Sequence, residues 1–198
     1  MARTLEFYFD YGSPYSYLAD TQVETIARRT GAALVRKPML LGGVFKSTGN
    51  QSPMVIDQKG KWANADLAMW ARFYGVPFQR NPHFPVNTLS LMRGAAAAQI
   101  DGLFERYHPA MFEAMWVDGR NLNDMAEVGA VLTEAGIDAA RMAGRIQDQD
   151  VKDRLKATTD EAVARGVFGA PTSFVDDLMF FGNDRLPFVE MALAGSLK

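Results

Sequence analysis

The sequence predicts an α/β fold in which both ends of the chain form one sheet and an all-helical lobe is inserted between them. Three patterns predict it: a strand–helix–strand unit opens the chain, helical periodicity fills its middle, and two short β-prone runs lie near its end. We expect residues 1–43 and 149–198 to form the sheet domain and residues 44–148 to form the inserted helical domain. A chain of 198 residues is long enough for one domain with a large insertion.

The opening unit reads as strand, helix and strand. Residues 5–10 alternate along the chain and are rich in aromatic side chains, which is typical of a strand. Ser13 and Pro14 follow, and this pair favours a helix start because serine caps the helix and proline at its first position needs no hydrogen-bond acceptor. Helical spacing continues over 15–29, Gly31 ends it, and residues 32–36 have the pattern of a second strand. The unit predicts a parallel crossover.

The middle of the chain predicts a polar loop and then helices. Residues 41–53 combine three glycines with serine, threonine, asparagine and glutamine, which predicts a long loop. Helices are predicted over residues 62–74, 89–106, 109–116, 124–135, 138–144 and 147–165, the last of them stopped by Gly166. Near the end, residues 172–175 and 178–181 predict a β-hairpin, and residues 182–184 predict the cap of a last helix that runs to Ala194.

The composition excludes several kinds of chemistry. The chain has no cysteine, so it cannot supply a thiolate for disulfide exchange, metal binding or nucleophilic attack. Its two histidines, His83 and His108, lack the spacing of a metal-binding pair, and no metal site is predicted. A formal net charge of −2 disfavours a nucleic-acid partner, and no apolar run approaches the ~20 residues of a membrane span. Glu6 and Asp10 interrupt the N-terminal apolar run, so we expect no secretory signal and a cytoplasmic location.

Three segments carry groups suited to a ligand, and the predicted sheet brings them together. Ser13 lies at a helix start, which favours an anion; the alternative, which the spacing alone favours, is a purely capping role. Pro171 opens a strand, where a cis bond would turn backbone groups toward an extended ligand; the alternative is an ordinary edge-strand proline. Asn183 and Asp184 either cap the last helix or pair with an amino-acid head group.

These segments resemble a known fold. Residues 13–16, Ser-Pro-Tyr-Ser, have the spacing of the thioredoxin CxxC motif with serine in both cysteine positions, and residues 169–172, Gly-Ala-Pro-Thr, match the cis-proline loop of that fold. The sequence further resembles the 2-hydroxychromene-2-carboxylate isomerases and their relatives, the kappa-class glutathione transferases, in which a thioredoxin-like sheet carries a helical lobe. The matching segments, which span nearly the whole chain, are FYFDYGSPYSYLA, STGNQSP, DLAMWARFYGVPF, NPHFPVNTLSLMRGA and GVFGAPTSFVDDLMFFGNDRL.

The resemblance implies glutathione as the cofactor. Ser13 matches the catalytic serine that holds the glutathione sulfur, and Ala170, just before Pro171, matches the residue whose backbone pairs with the cysteinyl unit. The residues that match the segment binding the γ-glutamyl end are Phe181, Gly182, Asn183 and Asp184. Asn50 matches an asparagine of the loop that faces the active site. Lys59 resembles the kappa-class lysine near the glycine carboxylate.

The resemblance implies isomerisation of 2-hydroxychromene-2-carboxylate, or a similar intermediate of aromatic degradation, to trans-o-hydroxybenzylidenepyruvate. The glutathione thiolate would add reversibly to the conjugated carbon, the resulting single bond would rotate, and elimination would release the trans product. The alternatives are a kappa-like glutathione transferase or peroxidase and a catalytically inactive thioredoxin-fold binding protein. Relatives are often dimers, so a homodimer is a further expectation.

The predicted substrate is a small aromatic carboxylate. The candidate contacts to it are Tyr15, Tyr17, Phe45, Lys46, Trp62, Asn87 and Arg93. Taken singly, each aromatic member of this set is better explained as a core or interface residue. The sequence departs from the isomerases at their substrate lysine, because gapless matching puts Phe45 in its place, with Lys46 adjacent.

Overall fold

The computed structural model describes residues 3–197, which form four strands and nine α-helices. The strands are β1 (Thr4–Phe9), β2 (Ala33–Pro38), β3 (Thr172–Val175) and β4 (Leu178–Phe181). The helices are α1 (Pro14–Thr30), α2 (Leu41–Thr48), α3 (Asp57–Tyr74), α4 (Leu89–Asp101), α5 (Phe104–Trp116), α6 (Met125–Glu134), α7 (Ala139–Arg145), α8 (Gln149–Ala164) and α9 (Leu186–Leu193). Residues 1, 2 and 198, the outer edges of the predicted sheet domain, lie outside the described residues.

The two ends of the chain form one mixed sheet with the strand order β2–β1–β3–β4. Strands β1 and β2 pair in parallel, whereas β3 pairs antiparallel with both β1 and β4. Helix α1 connects the parallel pair and ends at Gly31, whose φ of +69° is a left-handed conformation that glycine adopts without steric cost. The predicted α/β fold, with its parallel opening unit and its closing hairpin, is confirmed.

The helices between the two halves of the sheet pack against it through one large cluster of buried side chains and a smaller one that includes Val44 of α2 and Ala162 of α8. Phe9 of β1 lies 4.7 Å from the ring of His108 and 5.8 Å from that of Phe112, both on α5. Tyr11 adds an edge-on contact with Phe112 at 4.8 Å. The same cluster of buried side chains extends into α4 and α6. Within residues 3–197, no helix combines the length and the apolar character that a membrane span requires. The predicted domain limits at residues 44 and 148 stay a prediction.

The loop predicted over residues 41–53 is wrong in its first half, because α2 forms there. Its glycines disfavour a helix, yet Val44 is fully buried against α8 and the N–H of Leu41 donates to the carboxylate of Asp10 at 2.8 Å. A Cβ at Gly43 would lie 3.3 Å from Thr159 of α8, so a small residue permits this close approach. Tertiary packing therefore outweighs the weak helix propensity of the segment.

Several predicted helix limits also differ from the structure. Helix α3 begins at Asp57, before the predicted start at residue 62. The prediction missed its first turn because that turn is exposed and lacks apolar periodicity. The helix predicted over 89–106 ends at Asp101, since Gly102 adopts a φ of +69°. Helix α5 then contains Pro109 in its interior, where the buried side chains on both sides compensate for the lost backbone donor. A 3₁₀ turn over 183–185 precedes α9.

Gly94 of α4 is a close packing position for Tyr107 of α5. A Cβ at Gly94 would overlap the hydroxyl and the ring of Tyr107, which is buried and donates its hydroxyl to the carbonyl of Leu91 at 2.8 Å. We expect Gly94→Ala to lower the free energy of unfolding by about 2–3 kcal/mol, as overpacking of a core does. Urea unfolding measures the change. The control is Gly144→Ala in α7, where a Cβ would meet nothing within 4 Å; equal effects of the two substitutions would contradict this packing.

Candidate active site

A cavity of about 1220 Å³ opens at the carboxyl end of β1. Its walls come from the start of α1, from α2 and α3, from residues 78–89, and from the two segments 168–171 and 181–184. Pockets for one small ligand usually measure about 300–1,000 Å³. The cavity is therefore large enough for a cofactor the size of a tripeptide together with a second small molecule.

Ser13 lies at the start of α1 and is 5% exposed. Its Oγ accepts the N–H of Ser16 at 3.1 Å, which makes it the N-cap of α1, and its hydroxyl donates to the carbonyl of Ala170 at 3.0 Å. The peptide bond between Ala170 and Pro171 is cis. The side chain of Ser13 therefore caps α1 and contacts the proline loop at the same time.

The start of α1 is suited to a negative charge. The helix has 17 residues, and its first turn contains no acidic side chain. The N–H of Ser16 in this turn already donates to Ser13, and the helix dipole adds partial positive charge at the helix start. The first-turn proline, Pro14, has no N–H to contribute. An anion beside Ser13 would therefore meet a hydroxyl donor and the positive end of the dipole.

The segment that precedes α9 is held against the same cavity by α3. The hydroxyl of Tyr74 donates to the carbonyl of Asn183 at 3.0 Å, and the hydroxyl of Tyr15 donates to the carboxylate of Asp66 at 2.8 Å. Burial, followed by the influence of Asp66 and Asp184, raises the pKa of Tyr15 well above its usual value, so its hydroxyl stays protonated. These contacts fix the position of Asn183 relative to the start of α1.

Asn183 has an unused hydrogen-bond donor. The residue is 3% exposed and lines the cavity, and its Nδ2 has no partner among residues 3–197. Buried amide groups are almost always hydrogen-bonded, because an unpaired one costs free energy. A ligand carboxylate or carbonyl in the cavity would supply the missing acceptor.

Asp10 is a site residue that sequence reasoning did not single out. Its carboxylate is 1% exposed and accepts the N–H groups of Gly12 and Leu41, each at 2.8 Å, and the hydroxyl of Thr88 at 3.1 Å. Burial raises the pKa of the Asp10 carboxyl more than these three donors lower it. One side chain thereby joins the end of β1 to the starts of α2 and α4 behind Ser13. The position of Asp10 at the end of a buried strand was the sequence signal that could have pointed to it.

A second wall of the cavity is aromatic. The rings of Phe78 and Phe84 lie 6.1 Å and 5.9 Å from that of Trp116, and the indole N–H of Trp116 donates to the carbonyl of Tyr11 at 2.7 Å. Arg80 lies in the same segment and lines the cavity with an exposed side chain. Sequence reasoning missed this wall, because the fold alone brings residues 78–84 to the end of α5.

Most of the sequence-predicted site residues line this cavity. They are Ser13, Tyr15, Phe45, Asn50, Lys59, Trp62, Asn87, Ala170, Pro171, Phe181, Gly182, Asn183 and Asp184. Asn50 also donates through its side chain to the carbonyl of Phe168 at 2.7 Å, which ties its loop to the proline loop. The structure therefore brings together the three segments that the sequence analysis selected.

Three predicted substrate contacts do not line the cavity. Tyr17 is buried in the core, where its hydroxyl donates to the carbonyl of Pro77 and burial raises its pKa to about 12. Lys46 is exposed on α2 and points away from its neighbour Phe45, since consecutive helical side chains are about 100° apart. Arg93 is half-buried on α4, a full turn beyond the helix start that borders the cavity. We therefore assign none of the three to the substrate.

Comparisons with known proteins identify the family. A family model described as a DSBA-like thioredoxin domain matches residues 4–194. A 2-hydroxychromene-2-carboxylate isomerase from Sphingobium xenophagum is 33% identical over 195 residues, which cover 98% of this chain and 99% of the relative. The chain belongs to the 2-hydroxychromene-2-carboxylate isomerase branch of the DsbA-like thioredoxin family. Glutathione S-transferase kappa 1 from Rattus norvegicus is 26% identical over 96% of this chain and 91% of its own length.

Two solved structures share the fold. A selenomethionine form of 2-hydroxychromene-2-carboxylate isomerase superimposes with a TM-score of 0.87 and 27% identity over 97% of this chain and 95% of its own. The oxidoreductase DsbA from Xylella fastidiosa gives a TM-score of 0.63 at 18% identity over 97% of this chain and 86% of its own, a likeness of fold alone. The thioredoxin-like sheet with its helical lobe, predicted from the sequence, is confirmed.

Proposed function

We propose that the protein is a glutathione-dependent isomerase that converts 2-hydroxychromene-2-carboxylate, or a similar intermediate of aromatic degradation, to trans-o-hydroxybenzylidenepyruvate. The position of Ser13 carries the proposal, because its hydroxyl lies at a helix start beside the proline loop in a cavity with room for two ligands. The chain has no cysteine, so thiol chemistry at this position needs an external sulfur. The isomerase relatives support the choice of reaction. A cytoplasmic location and a homodimer stay predictions.

The cavity residues fit the charges of glutathione, which carries one ammonium group and two carboxylates. Asp66 and Asp184 line the cavity near Tyr15 and suit the ammonium group, while the free amide donor of Asn183 suits a carboxylate. Within residues 3–197, the lysines that form ion pairs are Lys37 and Lys156. Lys59 has no carboxylate partner in that range and therefore suits the other carboxylate of glutathione. The residues present therefore support the implied cofactor.

Ser13 and α1 can supply the free energy that ionises a thiol at neutral pH. Lowering a thiol pKa from about 8.5 to about 6.5 requires about 2.7 kcal/mol. A hydrogen bond to a charged group contributes about 1.5–3 kcal/mol, and a helix N-terminus adds about 0.3–1 kcal/mol. These two contributions reach the requirement without a nearby lysine. Ser13 therefore stabilises an anion and needs no histidine base to activate it as a nucleophile.

Binding requires the Ser13 hydroxyl to change its acceptor. In this structure the proton points to the carbonyl of Ala170. The carbonyl of Ala170 would accept a cysteinyl N–H, and the Ser13 hydroxyl would then turn to donate to the sulfur, while its Oγ continues to cap α1 through Ser16. Recognition of the tripeptide backbone and stabilisation of its thiolate are thereby linked through Ala170.

The aromatic wall would hold the second substrate. When bound, glutathione supplies a thiolate that adds reversibly to the conjugated carbon, and the lost double bond permits rotation. Phe78, Phe84 and Trp116 offer a flat apolar surface that keeps water from the reacting carbon. Trp62 and Phe45 border the cavity and are placed to cover the ring of the substrate.

A glutathione mass balance tests the proposed reaction. With 2-hydroxychromene-2-carboxylate and glutathione present, we expect the trans product to accumulate while the concentration of free glutathione stays constant. We expect the enzyme-catalysed rate to vanish when glutathione is omitted. Stoichiometric consumption of glutathione would instead show transfer, the activity in the name of the rat relative. An equal catalysed rate without glutathione would contradict the proposal.

A further inference from the structure

Two cationic side chains line the cavity, and they lie on different elements. Lys59 belongs to the first turns of α3, whereas Arg80 lies in the segment between α3 and α4. The ion pairs of arginines within residues 3–197 involve Arg3, Arg29, Arg36, Arg120, Arg141, Arg145, Arg165 and Arg185. Arg80 has no carboxylate partner within that range, so its charge is available to a ligand.

The position of Arg80 is fixed by the aromatic wall. The preceding residue, Gln79, donates its N–H to the carbonyl of Trp116 at 2.6 Å, and Trp116 in turn donates to Tyr11 at 2.7 Å. This chain of bonds attaches the segment of Arg80 to the end of β1, close in sequence to Ser13. On the other side of Arg80, the side-chain amide of Asn81 donates to the carbonyl of Met115 at 3.0 Å. Arg80 therefore lies two residues from Phe78 of the aromatic wall, on a backbone held by contacts of both its neighbours.

We propose that Arg80 binds the carboxylate of the aromatic substrate and makes the cavity selective for aromatic anions. The inference rests on the proposed function for the identity of that substrate. Under the proposed function, glutathione binds the polar groups of Ser13 and Asn183 and the cation of Lys59. Arg80 is then the cation that remains beside the aromatic surface. An apolar pocket with a single guanidinium at its edge fixes the orientation of a flat ligand that carries one carboxylate. Arg80 thereby determines specificity and takes no part in bond making.

Equilibrium binding of a matched anionic and neutral pair tests the inference. The probes are trans-cinnamate and trans-cinnamamide, followed by tryptophan fluorescence because Trp62, Trp70 and Trp116 line the cavity. We expect the protein to bind cinnamate about tenfold more tightly than the amide, a modest factor because Arg80 is exposed to solvent. Arg80→Met should abolish this preference. Arg80→Lys should keep part of it, since lysine retains the charge without the planar pair of donors.

The control is Arg154→Met, an exposed arginine on α8 outside the cavity, and it should retain the full preference. In turnover, Arg80→Met should raise KM for the anionic substrate about tenfold with little change in kcat, because the lost contact acts equally on the ground state and the transition state. Thermal unfolding of each variant shows that it is folded.

Three results would overturn the inference. They are an equal affinity of the unmodified protein for both probes, a preference that survives in Arg80→Met, and a loss of glutathione affinity in Arg80→Met with cinnamate binding unchanged. The last would assign Arg80 to the cofactor. Failure of the proposed function gives a different result. The unmodified protein would then show no glutathione-dependent turnover, whether or not it binds cinnamate more tightly than the amide.

Discussion

Replacing Ser13 by alanine is expected to raise the thiol pKa of bound glutathione by about one to two units. The substitution removes a hydrogen bond to a charged group, worth about 1.5–3 kcal/mol, and one pKa unit corresponds to about 1.36 kcal/mol. With a wild-type thiol pKa of about 6.5, the same loss should lower the thiolate fraction, and with it kcat/KM at pH 7, by about threefold to 25-fold, and shift the rise of activity to higher pH. A pH series of kcat/KM with saturating glutathione measures both effects.

Ser13 also caps α1, so its removal affects stability as well as chemistry. The cap is worth about 1 kcal/mol, which urea unfolding detects separately. Ser16→Ala is the matched control: Ser16 is fully buried in the same turn, and its Oγ has no partner among the described residues. We expect that variant to keep the wild-type pH profile, since the capping contact uses the backbone N–H of Ser16. A profile that Ser13→Ala leaves unshifted would remove the assigned role of Ser13.

Replacing Asp20 by asparagine is expected to lower the free energy of unfolding by about 2–4 kcal/mol at neutral pH, as loss of one partner from a largely buried ion pair does. The carboxylate of Asp20 lies 2.8 Å from Nε of Arg36 and 2.9 Å from Nε2 of His108, and its side chain is 16% exposed. Nδ1 of His108 lies 3.1 Å from the hydroxyl of Tyr11. The substitution leaves the cation of Arg36 with its longer contact to Glu24, which lies at 3.6 Å and has a 69% exposed side chain.

The effect of Asp20 depends on pH. Burial alone would raise the pKa of this carboxyl, but His108 and Arg36 together outweigh burial and hold the pKa below its usual value. Such a carboxyl stabilises the fold above its unfolded pKa of about 3.9, and its contribution is lost as the pH falls through the folded value. The stability difference between the wild type and Asp20→Asn should therefore be constant from about pH 5 to 7 and shrink below about pH 4.

Urea unfolding across this pH range measures the difference. Asp160→Asn is the control, because Asp160 forms an exposed ion pair with Lys156 on α8 and its loss should leave the stability nearly unchanged at every pH. A difference for Asp20→Asn that widens as the pH falls would contradict the assigned direction of its pKa shift.

The parts of the fold that the sequence predicts well are those with local signals. The alternation of residues 5–10, the serine–proline pair before α1 and the two aspartates of the hairpin each act within a few residues, and the structure follows them. Helix α2 lacked such a signal. Its stability comes from the burial of Val44 against Ala162 and Val167, which lie far along the chain. Propensity alone cannot report a contact of this kind.

The candidate site divides in the same way. Ser13, Pro171 and Asn183 lie at the ends of elements, where capping and turn residues are visible in the sequence. Trp116 and Gln79, the neighbour of Arg80, are 37 positions apart and meet only because helix α5 returns past the segment that follows α3. The aromatic wall and its guanidinium could therefore not be predicted from spacing, whereas the start of α1 could.

Ultraviolet absorbance of the thiolate, followed as a pH titration of glutathione in the presence of saturating protein, tests ionisation beside Ser13 most directly. We expect saturable binding and an apparent thiol pKa of about 6.5, about two units below that of the free thiol. A bound thiol that titrates at the value of free glutathione, or glutathione that does not bind saturably, would contradict the assignment of this cavity as a glutathione site.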